Sequence, residues 1–252
     1  GATRCAHTSG DGHTRHCIAY VNIDNPGIVG TSIPSPIGVR ELRPLLQGLA
    51  QSVWGSAGDW VDLYKGGDAS FFGVGVPYAG FYTRFDTAKL VEYNNAFLSP
   101  WLHTNQDTID KIDAGLFTKH LEYFARLILT LCNEPIAPYD LDEIGKQLID
   151  QLQQLSAISD EAAGAMRLDP LLDNARSLQN AIALLRRAAN ISVKAGASSA
   201  AEVGLANKAY LKITRKLSYI LRSEADRYEQ DPYGYTAVGT PVPRLRTLMV
   251  QY

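Results

Sequence analysis

An α/β sheet domain followed by an all-α helical bundle is the fold class this sequence predicts, and three observations predict it. Up to about residue 136, apolar runs of strand length alternate with helical stretches and with loops rich in Gly, Pro, Ser and Asn. Beyond that point apolar residues recur only at helical spacing. Between the two regimes lies Asn133-Glu134-Pro135-Ile136-Ala137-Pro138, where two prolines so close together forbid a continuing helix. The chain is expected to divide into residues 1–136 and 137–252.

Taken in order, the first element is the apolar run Ile18 to Ile23, a strand that stops at Asp24 and turns through Asn25-Pro26-Gly27. Val39, Leu42, Leu45, Leu46, Leu49 and Val53 then share one face of a helix that ends near Gly55. A second strand is expected from Gly75 to Phe81. A long helix follows from Ala114 to Cys132, its apolar side carrying Leu116, Leu121, Phe124, Leu127, Ile128 and Leu131. In the second half, Ile144, Leu148, Leu152 and Leu155 line one helix. Leu171, Ala175, Leu178, Ile182, Leu185 and Ala189 line the next, and Ala206, Tyr210, Ile213, Leu217 and Ile220 a third. Steps that alternate between three and four give a stripe suited to near-parallel packing, so a bundle of three or four helices is expected. Residues 195–200 read as a linker. The tail from Asp231, with Pro232, Pro241 and Pro243, reads as an irregular strap over a surface.

Composition narrows the function. A net charge of -2 over 252 residues supplies no broad cationic field, which argues against nucleic acid as partner. No run of about 18 apolar residues exists to span a membrane, and the first residues show no apolar export signal. Cys5, Cys17 and Cys132 are too few and too scattered for a disulfide framework.

The chemistry-bearing candidates lie in the first half. Asp24 closes an apolar strand, and ligands of open α/β sheets gather at the carboxyl ends of strands. His103 sits in the polar turn Trp101-Leu102-His103-Thr104-Asn105-Gln106-Asp107-Thr108, after Pro100 and before a helical run. A carboxylate and an imidazole are both good zinc ligands, and hydrolytic sites often hold two ions about 3.5–4 Å apart. The alternative is that Asp24 caps a turn and His103 is a solvated loop residue. Asp107 reads as an N-cap for the turn after it. Gly66-Gly67-Asp68-Ala69-Ser70-Phe71-Phe72 offers a flexible turn with a carboxylate that is either functional or a helix cap. Cys5, His7, His13, His16 and Cys17 make a second metal reading, but their spacing matches no common zinc pattern. His120 reads as a helical surface or satisfied interior residue, and Arg84 as a salt-bridge partner or a contact for an acidic substrate terminus.

The order of Asn22-Ile23-Asp24, Gly67-Asp68-Ala69-Ser70-Phe71-Phe72 with Gly75-Val76-Pro77, then Trp101-Leu102-His103-Thr104 and Asp107-Thr108-Ile109-Asp110, resembles the di-zinc exopeptidases. Within them it is similar to the branch of glutamate carboxypeptidase II and the transferrin receptor. The junction near Leu127 to Asp140 looks like the passage of that branch from a phosphorylase/hydrolase-like sheet domain into a helical dimerisation domain. The resemblance implies that Asp24 is a terminal ligand of one zinc and His103 a ligand of the other. It also implies that a second histidine, a bridging aspartate and a catalytic pair of glutamates lie upstream of the matching segment. No glutamate precedes Glu41 here, so the chain reads as the C-terminal part of such an enzyme. Leu102 stands where some relatives carry a tyrosine that stabilises an oxyanion, a hydrogen bond leucine cannot donate.

Three functional expectations follow. The first is a zinc-dependent exopeptidase acting on peptide substrates, inactive and weakly metal-binding as the chain stands. A second is a non-catalytic, transferrin receptor-like interaction protein. The third is a homodimer formed through the helical part. The resemblance suggests an extracellular or periplasmic setting.

Overall fold

A computed structural model describes residues 17–62, 71, 75–97, 99–157, 164–194, 199–222 and 242. The cluster of Cys5, His7, His13 and His16, the Asp68 turn, the linker core at 195–198 and most of the tail lie outside these residues. The described protein is a mixed α/β structure with a small sheet and several helices.

Four strands make the sheet: β1 (Tyr20–Asn22), β2 (Ile33–Gly38), β3 (Val61–Asp62) and β4 (Tyr78–Arg84), in the order β1-β4-β2-β3. β1 runs parallel to β4, with Asn22 opposite Gly80, and β2 runs antiparallel to it, with Ile37 opposite Gly80. Strand β4 is therefore paired on both sides and buried along almost its whole length.

β2 escapes a reading of the sequence because Pro34 and Pro36 sit inside it. Both prolines turn their donor-less nitrogens away from β4, toward the side where the Pro34 carbonyl accepts the Asp59 amide at 2.9 Å. On that side β3 pairs only at Ile37 and Gly38, past the prolines. The sheet thus loses no β2–β4 hydrogen bond to proline.

Helix α1 (Arg43–Trp54) follows a 3₁₀ turn at Arg40–Leu42 and ends on Gly55, whose φ of 73° is the left-handed cap that glycine tolerates. The expected face is correct, but Val39 precedes the helix in extended conformation. Pro44 in the first helical turn fixes the later start. A short helix α2 (Thr87–Glu92) is capped by Asp86, which accepts the Lys89 amide. The long α3 (Ala114–Asn133) buries His120, Tyr123, Phe124, Leu127 and Leu131. Leu121 and Ile128, expected inside, are 51% and 42% exposed, because the buried stripe turns toward α1 and the sheet instead.

Helices α4 (Leu141–Ser156), α5 (Leu168–Lys194) and α6 (Ala200–Arg222) form the second half. Leu141, Ile144, Leu148, Leu152 and Leu155 of α4 are buried against Leu172, Ala175 and Ile182 of α5 and Tyr210, Leu217 and Leu221 of α6. Leu171 and Ile220 fall at the margins of their stripes and are partly exposed. Of the tail, Val242 is described; it is buried, and its amide donates to Gln151 Oε1 of α4 at 3.0 Å.

The buried residues on both sides of residue 137 belong to one apolar cluster. The proline-rich break between them is itself clamped: Asn207 of α6 accepts the Ala137 amide at 2.7 Å and donates to the Pro135 carbonyl at 2.8 Å. The Tyr139 hydroxyl donates to the Ile18 carbonyl beside β1. Arg186 of α5 pairs with Asp140 and Asp142 at the start of α4 at 3.2 and 2.6 Å.

Gly38 has no room for a side chain, since a Cβ there would lie 2.5 Å from the Tyr78 carbonyl oxygen of β4 and 3.2 Å from Leu46 of α1. Gly38→Ala is expected to destabilise the fold by about 1–3 kcal/mol, the usual cost of overpacking, read as a lower denaturation midpoint with an unchanged slope.

Candidate functional site

Two faces of the sheet are used differently. Phe81 and Ala79 point toward α1 and α3, where Phe81 lies 4.4 Å from Trp54 and 4.2 Å from Tyr123 between ring centroids. The alternate residues Tyr78, Gly80 and Tyr82 share the opposite face with Asn22 and Ile37. A small cleft opens there, lined chiefly by Asn22, Asp24, Asn25, Tyr78, Gly80 and Tyr82.

Gly80 makes the cleft. It stands opposite both Asn22 and Ile37, and a Cβ there would meet Ile37 at 3.0 Å and the Tyr78 ring at 3.1 Å. Asn22 donates to the Tyr78 hydroxyl at 2.8 Å, fixing the amide against the wall. Asp24 lies two residues beyond the end of β1, exposed at the mouth of the cleft.

His103 is exposed in its turn with φ of 61°, in the left-handed region where histidine is more common than most residues but still unusual. Trp101 anchors the turn. Its ring packs edge-on to Tyr93 at 5.9 Å and to Phe85 at 6.4 Å, and the Lys111 ammonium sits 5.6 Å from its centroid. Phe85 follows directly on the last residue of β4. Because β1 and β4 are parallel, the Asp24 loop and the Trp101 turn stand at the same carboxyl-end rim of the sheet.

Three contacts hold these two loops together. The Val29 amide donates to the Lys111 carbonyl at 2.9 Å, Ile28 and Ile112 form an antiparallel bridge, and the Asp113 amide donates to the Gly27 carbonyl at 2.8 Å. Gly27 has φ of 78° and lies against Phe117, where a Cβ would come within 2.8 Å of the phenylalanine Cβ. His103 does not line the cleft that holds Asp24. Among the described residues, no group of three or more His, Cys, Asp or Glu gathers to hold one ion.

Other candidates resolve more simply. Arg84 is committed: it pairs with Asp59 at 2.6 Å, donates to Ser35 Oγ at 2.6 Å, and lies 5.6 Å from the Phe97 ring. Asp107 is exposed and caps nothing; Thr108 holds the N-cap position of the 3₁₀ turn Ile109–Lys111, and Asp113 caps α3 by accepting the Leu116 amide at 2.9 Å. His120 is interior. Asn22, Tyr78 and Tyr82 also line the cleft, and no local pattern marks them, because β4 is buried along almost its whole length and β1 is half-buried throughout.

No protein-family model matches this chain, and no curated protein matches it significantly.

Asp113 joins both loops through its amide and starts α3 through its carboxylate. Asp113→Ala is expected to cost about 1 kcal/mol of stability through the lost cap. Faster amide hydrogen exchange at Val29 and at Leu116, with the second half unchanged, is the measurement that checks it.

Proposed function

We propose that this chain carries the metal-binding rim and the helical part of a zinc-dependent exopeptidase similar to the glutamate carboxypeptidase II and transferrin receptor branch. The reaction is hydrolysis of a terminal peptide bond, in which water adds across the amide to leave a free amine and a carboxylate. The observation that carries the reading is the position of Asp24. It is an exposed carboxylate at the carboxyl end of a parallel strand, at a cleft, beside the rim that also bears the His103 turn.

The described residues do not fit a zinc ion on their own. Asp24 and His103 are two donors, whereas zinc sites use three or four protein ligands. No step of hydrolysis is therefore assigned to these residues through a metal. Calorimetric titration of the 252-residue chain with zinc is expected to give binding weaker than micromolar. A sub-micromolar affinity would show that the cage is complete without further ligands.

The full product of the gene carries the decisive test. Zinc analysis and hydrolysis of aminoacyl and γ-glutamyl peptide substrates are expected to show bound zinc and turnover, both reduced at least about a hundredfold by Asp24→Asn, in line with the loss of a metal-bound nucleophile. A folded product with neither zinc nor turnover rejects the peptidase reading.

A second reading, a non-catalytic interaction protein, is favoured by Leu102. Its amide is held by Ser99 Oγ at 3.0 Å, next to His103, with no donor on its side chain. Homodimerisation through α4, α5 and α6 is part of both readings, and sedimentation of the chain as a dimer at micromolar concentration is the result expected.

A further inference from the structure

His120 is enclosed where α1, β4 and α3 meet, with none of its surface exposed. The Trp54 ring stands 5.4 Å away and nearly perpendicular, and the Phe81 ring 5.2 Å away. Tyr123, one turn along α3, closes the same box against Phe81. The Nδ1 atom of the imidazole lies 2.9 Å from the Leu116 carbonyl oxygen, and only an N–H can serve that contact. The proton of the neutral ring is therefore on Nδ1. Nε2 is buried and has no hydrogen-bond partner among the described residues.

A second proton would have to go to Nε2, and among the described residues no group accepts a hydrogen bond from the N–H this would create. α1 presents the Trp54 ring, whose only polar atom, Nε1, is a donor, buried with no partner among the described residues. β4 presents Phe81, an apolar ring. On α3, the Tyr123 hydroxyl is spent on the Leu46 carbonyl at 3.2 Å, and burial pushes its ionisation far above the usual range, so it offers no negative charge. We infer that His120 is an acid-sensitive latch, a neutral imidazole whose protonation expels it from the aromatic box and releases α3 from α1 and the sheet.

The consequence reaches the rim. α3 begins at the Asp113 contact that ties the Asp24 loop to the His103 segment, and Phe117 of its first turn packs on Gly27. Undocking α3 thus loosens the rim whether or not it binds zinc, so this inference stands apart from the peptidase reading.

The direction in pH follows from linkage. Burial lowers the proton affinity of His120 below that of an ordinary imidazole, whose pKa is 6.5, against a smaller opposing effect of the Leu116 carbonyl. As pH falls through 6.5 the unfolded or undocked chain takes up a proton that the docked state refuses. Stability is full above this value and falls below it, by up to about tenfold in the docking equilibrium per pH unit for one proton.

Two measurements on the whole chain test this. In the first, denaturant unfolding of the wild type and of His120→Phe is compared from pH 7.5 to pH 5; phenylalanine keeps a ring in the box and removes the titration. The variant is expected to lose about one proton's worth of pH dependence, so that the ratio of the two unfolding constants changes several-fold across the range. In the second, which needs no variant, the His120 ring is followed by nuclear magnetic resonance while amide exchange is followed along α3. The ring is expected to stay neutral in the docked state below pH 6, while exchange from Leu116 to Leu131 quickens with acid. An imidazole that gains its proton near pH 6.5 or above with α3 still protected overturns the latch, since the rings would then be stabilising the cation. An unchanged pH dependence in a folded His120→Phe protein overturns it equally.

Discussion

Burial of Phe81 between Trp54 and Tyr123 is the contact on which the rest of the structure depends. It fixes α1 and α3 on one face of β4 and so frees the other face to open as a cleft. The side-chain alternation of a strand makes these two outcomes inseparable: a register slip of one residue would exchange Phe81 for Gly80 and fill the cleft while emptying the core. Register is held from both sides, by parallel β1 and antiparallel β2, and by the close approach of Gly38 to Tyr78. What makes the site possible is thus a packing constraint on the far side of the sheet.

The two halves of the chain differ in their sequence patterns but not in their burial. Tyr139, Asn207 and Arg215 reach from the helical half to the entry of β1 and to the proline-rich break, Arg215 donating to the Cys17 carbonyl at 3.1 Å. A break in helical periodicity marks where the backbone changes direction. It says nothing about whether the side chains on either side share a core, because contacts across the break depend on residues about 70 to 200 positions apart.

Legibility followed the same division between local and distant causes. The helices were readable because their apolar period, the Gly55 cap and the Pro135 stop are all local signals. β2 was not, since two prolines argue against a strand unless one knows which side of it faces an edge. The helix α2 was too short to show a period. On α3, spacing alone puts Leu121 and Ile128 on the apolar side, and the choice between neighbouring stripes is made by what α1 presents to them. At the rim, Asp24 and His103 were identifiable as polar residues at strand and loop ends. Asn22 and Tyr78 were not, because their role comes from the pairing of β1 with β4 across 56 positions.

His120, which the sequence offers as a helical surface or an interior residue, takes the interior role. Its imidazole packs against the two aromatic rings of Trp54 and Phe81, and its Nδ1 is held by a helix carbonyl. His103 has the opposite character: solvent-exposed, in a strained backbone conformation, in a turn held by Trp101 rather than by its own side chain. Strain persists only where neighbouring contacts over-determine it, and here they do, through Phe85, Tyr93 and Lys111. The buried histidine serves the packing of α3, whereas the exposed one is carried by a turn that Trp101 fastens to Phe85, Tyr93 and Lys111, so the two imidazoles answer to separate sets of contacts.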